Sequence, residues 1–170
     1  MKPGIEYMGF ETNRRIHRIF GKRHEHKGYT LKSDAEYSFA LLLDALLETG
    51  EVVEWEYEPK EFWFEGIRRG TVSYKPDFRA FWRAEDCDTY YEVKCGTAIA
   101  PKDITKWKRF AARYPEEKLV LVYPKELNPR KRNGKANPMY QRIEDGKKYL
   151  HHVWYVGSDY KKFGIPTKFS

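Results

Sequence analysis

Residues 76–95 read PDFRAFWRAEDCDTYYEVKC. Asp77–Trp82 and Tyr90–Lys94 are rich in aromatic and β-branched residues and flank an acidic turn at Ala84–Asp88, which predicts two neighbouring strands. Along a strand alternate side chains share a face, so Glu92 and Lys94 project together while Tyr91 and Val93 turn the other way. Fourteen residues separate Asp77 from Glu92. If the two strands pair across the turn, Asp77 arrives beside Glu92, and two carboxylates and an ammonium converge at one end of a sheet.

Upstream, Ser33-Asp34-Ala35-Glu36 has the form of a capping box, Leu31 supplies a hydrophobic staple, and Gly50 closes the helix that follows. Tyr37, Phe39, Ala40, Leu41, Leu42, Leu43, Leu46 and Leu47 cover nearly its whole circumference, so it is expected to be largely buried. Val53, Trp55 and Tyr57 then alternate with Glu54, Glu56 and Glu58, as in a strand with one wet face, and Pro59 ends it. Phe62–Phe64 and Thr71–Tyr74 flank a turn at Gly66–Gly70 and predict a hairpin, its second arm extended by Asp77–Trp82 after Pro76.

Downstream of the quoted stretch, Pro101 suits the first turn of a helix in which Ile104, Trp107, Phe110, Ala111 and Tyr114 recur at helical spacing until Pro115. Leu119–Tyr123 is a continuous apolar run, the pattern of a buried parallel strand. Asn128–Asn137 reads as a loop and Val153–Val156 as a short strand. The order is helix, three antiparallel strands, helix, parallel strand (αβββαβ), an α/β sandwich around a mixed β-sheet flanked by helices. One domain is expected: a basic N-terminal arm over 1–30 with a short turn around Arg14–Phe20, a core over 31–124, and a basic loop and C-terminal extension over 125–170.

The chain has 170 residues, 41% hydrophobic and 34% charged, which suits a folded domain and not a disordered one. No apolar run approaches the roughly 20 residues needed to cross a bilayer, and MKPGIEYMGF lacks the pattern of a secretory signal, so a soluble, cytoplasmic protein without membrane partners is expected. Cys87 and Cys95 have no zinc-ligand spacing and read as reduced thiols. The net charge of +7 and pI near 9.2 favour a polyanionic partner. The charge is segregated. Lys2, Arg14, Arg15, Arg18, Lys22, Arg23, Lys27 and Lys32 load the N-terminal 33 residues, Lys125–Lys148 forms a second block with Arg130, Lys131 and Arg132 in a row, and Glu51–Glu65 between them carries six glutamates. Two basic flanks with nearby aromatics suit phosphate-backbone contact.

The carboxylates of Asp77 and Glu92 are hard oxygen ligands suited to Mg²⁺ or Mn²⁺, with the Val93 carbonyl available to complete the inner shell. A phosphodiester is anionic, and such an ion lets water attack it by acidifying the water and neutralising developing charge. Lys94 adds a fixed positive charge. Glu36 is open to two readings: as the N3 residue of its capping box it would bond the Ser33 backbone, and as a site residue it would bind metal or orient the water.

The combination of a helix-borne Glu36, then Pro76-Asp77, then Glu92-Val93-Lys94 resembles the signature of the PD-(D/E)XK nuclease superfamily, over roughly Leu31–Tyr123. The resemblance implies a restriction-endonuclease-like core, a divalent metal held by Glu36, Asp77, Glu92 and Val93, and catalysis by Glu36, Asp77, Glu92 and Lys94. The compact size and the Ser-Asp-Ala-Glu helix start look like the small phage-type and archaeal Holliday-junction resolvases. That would imply branched DNA as substrate, a twofold dimer making paired cuts, and a basic arm carrying Arg14 and Arg15 on the DNA. Lys102, Lys106 and Lys108 fall where related nucleases carry a further polar residue near the active site; with Lys22, Arg23 and Arg130–Arg132 they complete the expected DNA-contacting set.

Other readings remain. A restriction-like or end-processing nuclease would share the signature, and a non-catalytic DNA-binding module would share the fold and the basic flanks. His24/His26 and His151/His152 lack zinc partners at convincing spacing. No phosphate-binding glycine motif or nucleophile elbow is present. Trp63, Trp82 and Tyr140 are candidate base-stacking surfaces, although most aromatics should be core.

Overall fold

The computed structural model describes residues 22–96 and 98–168. The chain first forms a hairpin of β1 (His24–His26) and β2 (Tyr29–Leu31), turning at Lys27 and Gly28 with φ of 48° and 82°. Two successive positive φ values match the twist of a two-residue hairpin turn, and glycine adopts the second freely. Helix α1 (Asp34–Glu48) follows, with Ser33 in extended conformation and its Oγ accepting the Glu36 N–H at 3.2 Å.

The main sheet has five strands in the order β3 (Val52–Tyr57), β6 (Phe78–Trp82), β7 (Cys87–Val93), β8 (Lys118–Tyr123) and β9 (His152–Tyr155). β3, β6 and β7 form an antiparallel meander; β8 and β9 run parallel to β7. Between β3 and β6 lies a separate two-stranded hairpin, β4 (Phe62–Trp63) and β5 (Ser73–Tyr74). Helix α2 (Pro101–Arg113) connects β7 to β8, and α3 (Pro138–Lys147) connects β8 to β9 before the closing α4 (Gly157–Lys162). The protein is thus α/β, a mixed sheet flanked by helices.

Each sheet face has its own core. On one, Phe39, Leu42, Leu43 and Leu46 of α1 pack with Phe78, Tyr91, Val93, Val120 and Val122, closed at the side by Val156 and Tyr160. On the other, Trp107 and Phe110 of α2 and Met139 and Ile143 of α3 cover Tyr90, Leu119, Leu121 and Tyr123, with Phe62 and Tyr74 of the small hairpin. β7 and β8 are covered on both sides, as the unbroken apolar run of β8 requires.

Four expectations change. Residues 22–31 are not a loose arm: His24 Nε2 lies 2.7 Å from Asp34 Oδ1, His26 Nε2 lies 2.7 Å from Asp44 Oδ2, and the Tyr37 ring stacks on His24 at 4.4 Å. Each histidine takes its own helix aspartate, a docking role. In β3 the alternation slips, because a register shift between Val52 and Glu54 buries Val52 and leaves Val53 43% exposed. Asp77–Trp82 does not extend the β4–β5 hairpin in one sheet; the chain passes to the main sheet at Pro76, which has no N–H to continue the ladder. Finally, α3 and α4 occupy stretches just beyond the expected loop and short strand, where the sequence pattern suggests no element, α3 opening with Asn137 as cap and Pro138 in its first turn. Arg14, Arg15, Arg18 and the turn expected at Arg14–Phe20 lie outside the described residues.

Candidate active site

β7 ends at Val93 and β6 begins at Phe78, so Asp77 and Glu92 sit at the same end of adjacent central strands. Their register is fixed by backbone bonds: Asp77 N–H donates to the Tyr91 carbonyl at 2.9 Å, and Lys94 N–H donates to the Val122 carbonyl at 3.0 Å. This is the carboxyl end of the parallel pair β7–β8, where open α/β sheets commonly place their sites. Tyr91 and Val93 face the α1 core and leave Glu92 and Lys94 on the α2 side, as the alternation requires.

Glu36 is 9% exposed and reaches this end from α1. Its Oε2 accepts the Lys32 N–H at 2.7 Å and the Tyr57 hydroxyl at 2.8 Å. The capping box is therefore half realised: Ser33 Oγ caps the helix, while the glutamate reaches Lys32 and the sheet. Asp77 Oδ2 accepts the Val93 N–H at 2.7 Å, so the main-chain contribution of Val93 that the structure records is a donor to Asp77. Glu92, 2% exposed, accepts the Tyr74 hydroxyl on Oε2 at 2.7 Å and meets Lys94 Nζ at 2.9 Å on Oε1.

At the rim, Glu58 has a φ of 46°, bends the end of β3, and donates its N–H to the Asp77 carbonyl at 2.8 Å. Its carboxylate pairs with Lys32 and lies 3.9 Å from Lys75 Nζ.

The electrostatics set the three acids apart. Asp77 is partly open at the mouth, yet its carboxyl is held well above the usual carboxylate range by burial, then by the negative charges of Glu92 and Glu36; the Val93 N–H and Lys94 pull the other way. Burial alone would lower Lys94, but Glu92 and Asp103 outweigh it and keep its ammonium strongly protonated.

Among the described residues no three His, Cys, Asp or Glu side chains are gathered closely enough to hold a metal as they stand. Even so, the donors fit a hard divalent cation: Asp77 and Glu92 repel one another across an all-oxygen pair, and a positive ion between them would relieve that repulsion. Cys87 and Cys95 are both free thiols.

The basic residues divide by position. Lys106, half-buried on α2, turns into the site and pairs with Asp103 at 3.1 Å, whereas Lys102 and Lys108 on the same helix are exposed. Lys22 and Arg23 are exposed just before β1. Arg130, Lys131 and Arg132 lie on an exposed loop, and Lys131 helps line a groove of 370 Å³ with Gly96, Tyr123, Lys125 and Met139. Of the candidate stacking aromatics, Trp63 is 58% exposed, while Trp82 is committed to packing, its Nε1–H donating to the Tyr91 hydroxyl at 2.5 Å beside Trp154. Tyr140 is half-buried.

Tyr57, Tyr74 and Asp103 join the site without having been singled out by the sequence. Asp103 carried a signal, falling three residues after the cap Ala100 and three before Lys106. No family model, characterised protein or solved structure matches the chain.

Proposed function

We propose that the protein is a metal-dependent nuclease that hydrolyses DNA phosphodiester bonds, with a core of the PD-(D/E)XK kind and Glu36, Asp77, Glu92 and Lys94 as its active site. The observation that carries this reading is the meeting of Glu36, Pro76-Asp77 and Glu92-Val93-Lys94 at one sheet end, in a chain whose elements run helix, antiparallel meander, helix, parallel strand.

Asp77 and Glu92 would hold the ion, with Glu36 behind them on α1. Bound there, Mg²⁺ or Mn²⁺ supplies a more acidic water and neutralises charge on the phosphate. Lys94, fixed by Glu92, places an ammonium where negative charge develops during in-line attack, and its strong protonation suits it to electrostatic stabilisation and not to proton abstraction. Tyr57 and Tyr74 fix the rotamers of Glu36 and Glu92 by donating to them. The basic arm, Lys22, Arg23 and Arg130–Arg132 would contact phosphates along the strand, a sequence-independent footing consistent with recognition of DNA shape.

The test is cleavage of labelled four-way junction, flap, duplex and single-stranded DNA in Mg²⁺, in Mn²⁺ and in EDTA. The reading expects cutting that needs the divalent ion and is lost in Asp77→Ala and Glu92→Ala, with DNA binding retained. Paired cuts confined to the four-way junction by a dimeric protein would assign a resolvase; preference for ends or flaps would assign an end-processing enzyme. Binding without cutting of any substrate would leave a DNA-binding module, and cutting undiminished in EDTA would end the metal mechanism.

A further inference from the structure

Beside Glu92 stands a second buried carboxylate whose surroundings exceed what its helix needs. Asp103 is 2% exposed. Its Oδ2 accepts the Ala100 N–H at 2.7 Å, which caps α2. Its Oδ1 lies 3.1 Å from Lys106 Nζ and 3.6 Å from Lys94 Nζ. The same two ammonium groups lie 3.7 Å and 2.9 Å from Glu92 Oε1. Two lysines therefore share two carboxylate oxygens in an alternating square, and Lys106 also lies 5.3 Å from the centre of the Tyr74 ring.

Capping accounts for one oxygen of Asp103, and a neutral asparagine would serve that purpose equally. The other oxygen faces cations alone. Two ammonium groups held against one oxygen of Glu92 would repel each other strongly in so buried a place, so a second negative charge is required to hold both. Burial would raise the Asp103 carboxyl, but Lys94, the Ala100 N–H and Lys106 outweigh it and hold it below the usual range.

We propose that Asp103 is a positioning residue that seats Lys94 and Lys106 as a pair of ammonium groups at Glu92, so that the phosphate of the substrate meets two fixed cations. This rests on the nuclease reading for the identity of the substrate, while the pairing itself does not. On the nuclease reading Glu92 would also hold the metal, whereas the contacts of Asp103 are to the Ala100 N–H and the two lysines, so it would keep the pair in place whatever Glu92 binds.

Asp103→Asn separates the two roles, since its amide oxygen still accepts from Ala100 while the charge is gone. The measurement is the side-chain ammonium ¹H–¹⁵N signals of Lys94 and Lys106, assigned with Lys94→Gln and Lys106→Gln, alongside steady-state cleavage and thermal melting. In Asp103→Asn both signals should move or broaden, and the melting temperature should fall, because two buried ammonium groups lose a counter-charge. The kcat should fall roughly 10–100-fold, the scale of a misplaced catalytic group, while KM changes far less. In a Lys106→Gln background Asp103→Asn should cost much less than it does alone, because the two act as one unit.

Unmoved ammonium signals in Asp103→Asn, or a loss of melting temperature with kcat intact, would overturn the proposal. If the wild type cuts no DNA, the nuclease reading falls on that result, and the ammonium signals, which need no cleavage, still decide whether Asp103 holds the pair.

Discussion

Replacing Tyr74 by Phe removes one hydroxyl and nothing else, which makes it a clean probe of the site. Tyr74 and Glu92 are each 2% exposed, and the hydroxyl donates to Glu92 Oε2 at 2.7 Å. Phenylalanine fills the same ring space against Phe110, so no cavity forms; a buried carboxylate oxygen is simply left short of a donor. A hydrogen bond to a charged group is worth about 1.5–3 kcal/mol. At about 2.1 cal/mol/K of unfolding entropy per residue, a chain of 170 residues loses about 3 °C per kcal/mol, so the melting temperature should drop roughly 4–8 °C.

The same change in a Glu92→Gln background removes only a neutral hydrogen bond, about 0.5–1.5 kcal/mol, and the drop should shrink to roughly 1–4 °C. Melting of all four proteins by circular dichroism at pH 7 measures the coupling directly. Equal drops in the two backgrounds would refute the idea that the Glu92 charge is what Tyr74 serves, and no drop in either would mean that the hydroxyl holds nothing.

Three further outcomes are expected. Because burial and the neighbouring acids raise the Asp77 carboxyl, its neutral form favours folding: the native state binds this proton more tightly than the unfolded chain, so stability is lost as pH rises from about 4 through the folded value. Asp77→Asn should therefore melt above the wild type at pH 7, with the gap closing near pH 4; a lower melting temperature at pH 7 would contradict the assignment. Gly146→Ala should destabilise by about 1–2 kcal/mol in a denaturant titration, since the new methyl would stand 2.7 Å from Cζ3 of the fully buried Trp107, a clash that exceeds the gain in helix propensity. Replacing Arg130, Lys131 and Arg132 by Ala should flatten the log–log dependence of DNA affinity on salt by about 2–3, or roughly 0.9 for each phosphate that the loop neutralises, and an unchanged slope would make that loop an ordinary solvated segment.

The parts of this fold legible in the sequence are those governed by local period and punctuation. The Ser33 cap, the apolar run of β8, the Pro101 start of α2 and the two-residue alternation that puts Glu92 with Lys94 all follow from neighbours a few positions apart. The illegible parts depend on distant partners. Nothing near Val52 announces the bulge that turns Val53 outward, because the bulge is set by the pairing with β6. Tyr57 and Tyr74 look like two among many aromatics until the main sheet and the small hairpin bring them, across 21 and 18 residues of chain, to Glu36 and Glu92. His24 and His26 have no legible role until α1 presents Asp34 and Asp44 to them. Helix α3 did carry a readable start at Asn137-Pro138, but its first turn follows a polar, glycine-containing loop that masks it.

The three acids of the site differ in how fully the fold compensates them, and the difference bears on function. Glu36 has a main-chain donor and a phenol; Glu92 has a phenol and two lysines; Asp77 has one main-chain N–H and the charge of Lys94 against two negative neighbours and its own burial. Asparagine at position 77 would accept the same Val93 hydrogen bond without the repulsion, so packing and backbone order alone do not call for a carboxylate there. A carboxylate kept where it costs stability is the kind of local conflict that folds tolerate at sites of chemistry. A module that only bound DNA would gain nothing from it, since the charge repels phosphate as well as its neighbours. A hard cation relieves both repulsions at once, and for that reason we favour a metal-dependent catalyst over a binding module of the same fold.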